Sequence, residues 1–477
     1  MRSVQFTFGI CLTLAGCQAY GPPREAPLAV VSSQRPPSST IHGTSAAPEQ
    51  PPPTGAVYVV QQAQHVELVP TPAPEPIPYG QLRPVSVGAL TLADLEQMAM
   101  SANPSMAHAA ALVQEARGTW VQVGLPFNPS LGYEGQQIGS GGRAEQDGMF
   151  VGQEFVRGGK LGLNRQVAAQ HWARREQELA AQQQRVLTDV RIAYYQVLIA
   201  ERQERLTLEL RDIAAESVKV AEALRKGMEV GQVDLIQAQL ELGNAGILAQ
   251  NARNRYAAAW RTLATVVGNS NWQPRPLAGE VDEVRPEHNW DTARERLLST
   301  SPEIAAAMTD IERARWALER AYAEKVPNVT VQGLVNWRDE GIDGKPDGAL
   351  TVGVPLPLWN RNQGGIIQAQ GQVAAAERAL DQLELSLENR LAPVFERYAS
   401  ALNQVNTYRS QLLPAAQQSL DIARRVYQAG EAPYLNLLVA QRSYSQTNVN
   451  YLESLRELRS ADAEIEGLLL RNSLESR

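Results

Sequence analysis

The sequence predicts a mainly α-helical chain with a small β part: long helices packed as a coiled-coil barrel, plus four membrane-spanning strands that form a closed barrel only when several copies share it. Three observations carry this. The chain beyond Leu90 repeats itself once. Each half holds an apolar periodicity of three and four residues sustained over roughly 67 positions, the spacing of one helix face. Each half also holds two short segments that alternate apolar with polar residues, the spacing of a strand.

Composition agrees. Of 477 residues 20% are charged and only 6% aromatic, and Ala, Gln, Leu, Glu and Arg dominate long stretches, as in long helices. The formal net charge of -7 offers no concentrated basic face, which excludes nucleic acid as a partner.

The elements begin with an address. Arg2 precedes an apolar run from Val4 to Ala15, about 12 residues long where a bilayer span needs roughly 20. It has the length of a secretory signal core. The run ends Leu14-Ala15-Gly16-Cys17, which resembles the lipoprotein signal box. Residues 1–17 are therefore expected to be a signal peptide ending at a lipidated, palmitate-bearing Cys17. Gln18 in the next position is compatible with sorting to the outer membrane. An ordinary signal with a chance cysteine is the alternative. The only other cysteine, Cys11, leaves with the signal, so no disulfide is available to the mature chain. Residues 18–88 are rich in Pro, Ser and Gln, with Pro51-Pro52-Pro53 and Pro70-Thr71-Pro72-Ala73-Pro74. Such a segment buries too little apolar surface to offset chain entropy and reads as a disordered tether.

The repeat divides the remainder into residues 89–280 and 281–472. Asn103-Pro104 corresponds to Ser301-Pro302, Pro129 to Pro327, Gln166-Val167-Ala168-Ala169 to Gln372-Val373-Ala374-Ala375, and Asp234-Leu235 to Asn436-Leu437. Each half reads as a helix, two strands, a very long helix, a turn and a further helix. Strands are expected at about 128–138 and 149–157, then at about 327–338 and 349–357. The long helices are expected at about 160–226 and 363–429, the last helices at about 233–267 and 433–470. A helix of some 67 residues is about 100 Å long and needs partners along its whole length. Pro104–Leu125 with Val233–Val267, and Pro302–Lys325 with Pro433–Leu470, have the combined lengths to stack end to end beside the long helices. Pro393 and Pro414 are expected to bend the second long helix, because each removes a backbone hydrogen bond. Pro414 could instead split it in two.

The strand from Val329 sets Val329, Val331, Val335 and Trp337 on one face and Thr330, Gln332, Asn336 and Arg338 on the other. Segments of about ten residues with one apolar side fit tilted membrane strands around a polar lumen. The alternative is a pair of soluble hairpins with aggregation-prone edges. Membrane barrels begin at about eight strands, so four per chain require oligomerisation.

Gly353-Val354-Pro355-Leu356-Pro357-Leu358-Trp359-Asn360-Arg361-Asn362-Gln363-Gly364 closely resembles the strand-to-helix passage of the cation-efflux members of the TolC-type outer-membrane efflux family. Pro stops strand pairing there, and Gly permits a sharp backbone turn. Tyr427-Gln428-Ala429-Gly430-Glu431-Ala432-Pro433-Tyr434-Leu435, mirrored by Lys226-Gly227-Met228-Glu229-Val230-Gly231-Gln232-Val233-Asp234, resembles the family's periplasmic tips, where glycine supplies a left-handed helix cap. The resemblance covers about residues 90–470. It implies a homotrimer with a shared 12-stranded barrel, lipid-anchored in the outer membrane with most of the chain in the periplasm. It also implies a periplasmic adaptor and an inner-membrane pump as partners. The passage residues Pro355, Pro357, Asn360, Arg361, Asn362, Gln363 and Gly364 carry over. So do Gly227, Gly231, Asp234, Gly430, Pro433 and Tyr434 as tip, gate and adaptor contacts. Glu229, Asp234 and Glu431 either form acidic rings at the constriction or are solvated cap residues.

The five histidines, His42, His65, His108, His171 and His288, show no ligand spacing with one another or with a cysteine, so neither a metal nor another cofactor is expected. No nucleophile, phosphate-loop or paired-carboxylate signature appears, and no enzymatic role is expected. The competing reading is a periplasmic coiled-coil lipoprotein that scaffolds the envelope, which leaves the alternating strands without a task.

Overall fold

The computed structural model describes residues 89–136, 146–228, 230–283, 285–339 and 344–475. The signal peptide, Cys17 and the tether lie outside the described residues, which all belong to one compact unit, 76–477. The first half runs α1 Leu92–Ala102, α2 Pro104–Gln122, β1 Ser130–Gln136, β2 Gln146–Phe155, α3 Lys160–Lys226 and α4 Gln232–Val267. The second runs α5 Trp290–Thr300, α6 Pro302–Ala323, β3 Val329–Asp339, β4 Asp347–Gly353, α7 Gln363–Thr407, α8 Leu413–Gln428 and α9 Tyr434–Glu466.

Local chemistry sets the boundaries. Thr91 and Asp94 open α1 as a capping box: the Asp94 N–H donates to Thr91 Oγ1 at 3.2 Å and the Thr91 N–H donates to Asp94 Oδ2 at 3.0 Å. Asn103 then accepts from the Ser105 N–H at 2.9 Å, with Pro104 at the first helical position where no N–H is needed. The Asn103 side-chain amide also donates to Val266 O at 2.8 Å, fixing the end of α4 against the α1–α2 corner. Gly268 follows α4 at φ +91, and a Cβ there would lie 2.5 Å from Ala102 O, so only glycine fits.

α3, 67 residues long, is the spine. It packs against α2 and α6 towards the strands and against α4 towards the far turn, while α7 packs against α6 and α9. Val186, Val190, Ala193 and Val197 of α3 meet Leu387, Leu391, Val394 and Tyr398 of α7 and Leu455, Leu458 and Ala461 of α9 in one continuous core.

Two helical expectations are corrected. The second rod is not one α-helix over 363–429: a π-turn at Tyr408–Leu412 separates α7 from α8. Pro414 has no N–H to give and its ring crowds the carbonyl one turn earlier, and the widened turn absorbs both while the rod continues. Pro393 is accommodated within α7. The last helix stops at Glu466 rather than near 470. Leu468 and Leu469 take left-handed φ of +54 and +61, and the Leu469 N–H reaches back to Glu464 O at 2.8 Å. This is a glycine-type cap made by leucine, held because Leu468, Leu469 and Leu470 are buried.

The segment joining the halves is strapped across the middle of the rods. Arg459, itself buried, donates to Val281 O at 2.7 Å and also to Glu283 O. Asp282 accepts from Arg202 and, at 2.5 Å, from the Tyr451 hydroxyl. Arg285 donates to Asp462 Oδ2 at 3.0 Å and to the Tyr195 hydroxyl at 2.5 Å. His288 Nε2 lies 2.8 Å from the other Asp462 oxygen. Burial pushes the Asp462 carboxyl up, but the His288 hydrogen bond and the Arg285 charge outweigh it and hold the group below its ordinary range. Asp282 is likewise lowered, its burial overcome by Tyr451 and Arg202.

A carboxylate whose pKa is depressed on folding contributes stability that is full above its unfolded value, about 3.9. That contribution is lost as pH falls through the folded value. Acid below about pH 4 is therefore expected to weaken the strap, read as falling thermal stability from pH 5 downward. Asp462→Asn removes the charge that faces Arg285 and His288, leaving Arg285 only Glu466 at 3.6 Å, and is expected to cost about 2 kcal/mol at neutral pH, measured by thermal or denaturant unfolding.

Candidate conduit: sheet, passage and tip

The strands form one antiparallel sheet in the order β1-β2-β3-β4. Pairing of Leu131 with Val151, Val151 with Gly333, and Gly333 with Leu350 sets these positions on one side. That side carries Leu131, Tyr133, Met149, Val151, Phe155, Val335, Leu350 and Val352, all exposed in the single chain, Leu131 at 68% and Leu350 at 73%. An apolar sheet face left this open to water is unstable and calls for lipid.

The opposite side is mixed: Phe150, Leu334 and Ala349 form one row across it, with acidic and amide residues around them. Glu134, Glu154, Asp339 and Asp347 share it with Gln136, Gln146, Gln332, Asn336 and Thr330, and among the described residues of the sheet it holds no Lys or Arg. Its carboxylates are bound by amides: Gln146 donates to Asp339 at 2.8 Å, Asn336 to Asp347 at 2.8 Å, and Asn328 to Glu154 at 2.7 Å. Amide donors orient a carboxylate without cancelling its charge, so Glu154 and Asp347 keep this face negative. Arg338 is the exception to the simple alternation. A bulge between Asp147 and Gly148 skips Trp337 in the register. Arg338 thereby reaches the apolar side, where it pairs with Asp147 at 2.6 Å and Asp147 also accepts from the Tyr133 hydroxyl at 2.5 Å.

After β4 the passage is held by its own polar groups. The Asn362 N–H donates to Asn360 Oδ1 at 3.0 Å, the Arg361 N–H to Gln363 Oε1 at 2.9 Å, and Arg361 Nε to Pro357 O at 3.3 Å. Asn362 takes a left-handed φ of +60 and donates from its side chain to Ala321 O at 2.8 Å, anchoring the start of α7 to α6. Pro355 and Pro357 follow the last paired residues of β4. A Cβ at Gly364 would meet nothing within 4 Å, whereas at Gly365 it would lie 2.3 Å from Asn362 Oδ1. The steric demand for glycine therefore falls at Gly365, which the sequence reading did not single out.

The first-half passage uses different means. Gly158 and Gly159 take φ of +71 and +69, and Lys160 is buried with Nζ 3.0 Å from Asn328 Oδ1 and 3.5 Å from Glu324. Arg320 and Lys160 together hold the Glu324 carboxyl below the usual carboxylate range. No sequence signal marks Lys160 as buried; its partners arrive from the turn between α6 and β3.

At the far end the two turns differ. In the second, Gly430 is left-handed at φ +72, with its N–H 3.0 Å from Tyr427 O and that of Glu431 3.1 Å from Val426 O, a complete Schellman cap. Pro433 then opens α9 with extended backbone. In the first, Gly227 is right-handed at φ -76, and Met228, 94% exposed, takes the left-handed place at φ +62. Both turns place five residues between their helices, and the left-handed position is the second of them in each, Met228 here and Gly430 in the mirror turn, so the glycine expected to cap at Gly227 stands one residue too early. Gly231 begins α4, and its N–H donates to Asp234 at 3.2 Å, so Asp234 acts as a helix cap. Glu229 lies outside the described residues; Glu431 is exposed.

Tyr434 is corrected as a surface contact, since it is fully buried. Its ring meets that of Tyr427 at 5.5 Å, edge to face, inside a small core with Ala221, Leu235, Leu420 and Leu437. Neither hydroxyl has a hydrogen-bond partner. Burial pushes Tyr434 up to about 12, with the Glu241 charge adding to it. Tyr427 is raised by burial and by Asp234.

One cluster with ligand types was missed in the sequence, because its members lie far apart in the chain. His288, Asp462 and Glu466 place ligand atoms within 4.8 Å of one another. Arg285 lies 3.0 Å from Asp462 and 3.6 Å from Glu466, and Arg191 lies 3.1 Å from Glu466. With guanidinium groups already on both carboxylates, the cluster is a strap, poorly suited to a cation. No helix among the described residues is long and apolar enough to cross a membrane.

A family described as outer membrane efflux protein matches residues 95–269 and 293–469. The cobalt-zinc-cadmium resistance protein CzcC of Cupriavidus metallidurans is 25% identical over 384 residues, which cover 80% of this chain and 91% of that protein. The nickel-cobalt-cadmium resistance protein NccC of Alcaligenes xylosoxydans xylosoxydans is 23% identical over 306 residues, covering 61% of this chain and 66% of that one. Among solved structures, the open state of the Neisseria gonorrhoeae MtrE outer membrane channel superposes with a TM-score of 0.66 at 20% identity, covering 80% of this chain and 89% of that one.

Tyr434→Phe removes a buried hydroxyl that has no partner and keeps the ring, so it is expected to raise stability by about 1 kcal/mol. Met228→Gly relieves the left-handed backbone at the tip and is expected to gain about 1 kcal/mol. Unfolding midpoints of the purified protein check both.

Proposed function

The chain belongs to the outer membrane efflux protein family, and from that premise we propose how its parts serve as an export conduit. It is an outer-membrane channel subunit of a tripartite efflux system. The sheet faces lipid with its apolar side, and its polar side encloses water. The long helices continue the passage into the periplasm, and the tip at Gly227–Gly231 and Gly430–Pro433 meets the components that deliver cargo. A periplasmic adaptor and an inner-membrane pump supply the cargo and the energy. Three copies share one barrel of 12 strands, above the minimum of about eight for a membrane barrel. Cys17 carries the lipid anchor.

The observation that carries the conduit reading is the two-sided sheet: a mainly apolar, exposed face back to back with one that carries most of the sheet's amides and carboxylates. A scaffold with no channel has no use for that division. The carboxylates of this side support small cations as cargo: Glu134, Glu154 and Asp347 recur in every copy around the lumen, and rings of carboxylates favour cations by charge alone. The metal-resistance relatives named above support the same class.

Reconstituted protein is expected to run as a heat-sensitive oligomer and to open discrete cation-preferring conductances in planar bilayers. Replacing Glu134 and Asp347 together by lysine is expected to move the reversal potential in a salt gradient towards anions without abolishing conductance. Protein that inserts as an oligomer yet conducts nothing would support the scaffold instead.

A further inference from the structure

We propose that the cavity beneath the strap binds a small organic anion, a carboxylate with a short branched apolar body, seated between α7, α9 and the strap itself. The cavity holds about 110 Å³ and opens on one side. Its floor is apolar, made by Leu402 and Val405 of α7 with Leu455 and Leu458 of α9. Its lip is polar, with Glu283, Glu287, Asn406 and Arg409 all exposed. An apolar pocket with a few convergent polar groups is the usual form of a small-molecule site.

The charges around it do not balance within the chain. Asp282 already accepts from Arg202 and Tyr451, and Asp462 is met by Arg285 and His288, so both carboxylates are matched. Glu283 and Glu287 stand in solvent, where water and salt screen them. Two guanidinium groups are left over. Arg459 is buried, yet its hydrogen bonds go to the carbonyls of Val281 and Glu283, which carry no net charge. Among the described residues its nearest carboxylate oxygen is Asp462 Oδ2, 3.9 Å from Nη1 and already accepting from Arg285. Arg409 makes no hydrogen bond or ion pair with the described residues, although its charge reaches the Asp282 carboxyl across the cavity. A cation taken out of water is costly until an opposite charge meets it.

A carboxylate at the mouth supplies that charge. It takes a charge-assisted hydrogen bond from Arg409 and offsets Arg459, which lines the same cavity. Its hydrocarbon end covers the four apolar side chains of the floor, which offer water no hydrogen bond. Volume limits that end: an apolar cavity of about 150 Å³ accepts benzene, so this smaller one takes a branched chain of about four carbons. Arg409 stands in the π-turn Tyr408–Leu412, and π-turns within helices recur at functional sites.

The probes are isovalerate, its neutral amide isovaleramide and the cation isopentylamine, each titrated into the full-length protein in detergent and followed by calorimetry. Isovalerate is expected to bind saturably, once per chain, and the amide and the amine about tenfold more weakly or worse. Arg409→Gln, a change at an exposed side chain, is expected to weaken isovalerate about tenfold and to leave the amide unchanged. Arg409→Lys keeps the charge and is expected to recover part of the loss. Leu402→Phe fills the floor and is expected to remove binding of both isovalerate and the amide while the melting temperature is kept; if that variant unfolds, the two Arg409 variants decide alone. Absence of saturable isovalerate binding, equal affinity for the three probes, preference for the amine, or wild-type affinity in Arg409→Gln would each overturn the site. Every reading is taken without conduction, so failure of the site and failure of the conduit are told apart.

Discussion

An antiparallel sheet of four strands has two edges, and in this chain both are bare. The N–H and C=O groups along the outer sides of β1 and β4 have no ladder partners within the chain, while one face between them is mainly apolar and open. In lipid each unpaired backbone group costs several kcal/mol. The sheet can enter a membrane only by pairing its edges with other copies, so the rest of the molecule must deliver those copies in register. The long rods follow from that demand. They extend the seam far beyond the few residues of strand contact and spread its cohesion over many small contacts.

Rods of this length bring their own difficulty, because a helix of 67 residues bends and slides unless it is tied. The tie is the charged strap of residues 278–288. Tyr194, Arg202, Tyr451, Arg459 and Asp462 reach it from α3 and α9, and Tyr398 of α7 accepts the His288 N–H at 3.0 Å through its hydroxyl. Ion pairs buried in a protein are a poor source of net stability, since desolvation offsets much of the attraction. They are effective at fixing one arrangement, because any slide of α9 along α3 leaves charges unpaired. The strap thus sets the register of the rods, while the Val and Leu core supplies the cohesion.

How much of this was legible depended on the range of the physics involved. Periodicity is local, and so the long rods and the paired strands could be read from residues alone. Where the sequence misled, a neighbour distant in the chain or a local strain decided the outcome. The alternation from Val329 onward placed Arg338 on the polar side, and one bulge, set by the pairing of β2 with β3, moved it to Asp147. Gly227 looked like the left-handed cap, but that conformation belongs to the second residue of each turn, Met228 in the first and Gly430 in the second. Pro414 announced a disturbance without revealing that a π-turn would absorb it. Lys160 and the His288–Asp462–Glu466 group carry no local mark at all: their partners come from the turn between α6 and β3 and from α9. The tip residues were legible as turn formers, yet Tyr434, which reads as a contact, proved to be core.

Stability is distributed unevenly along the rods, and the pattern has a direction. At the middle, Asp282 and Asp462 each have two donors and the core is continuous through α3, α7 and α9. Towards the tip the core shrinks to a small separate cluster. There the two tyrosine hydroxyls are buried without partners, and a non-glycine residue is held left-handed. Each of these features raises the energy of this arrangement by an amount of order 1 kcal/mol or more; the middle also holds left-handed residues, Leu468 and Leu469, but there a larger core buries them. Local opening is drawn from the part of a fold with the fewest buried contacts and the most stored strain. The same forces that hold the rods rigid at the middle therefore favour motion of α8 and α9 below the π-turn, where a small displacement frees the tyrosine hydroxyls to reach water.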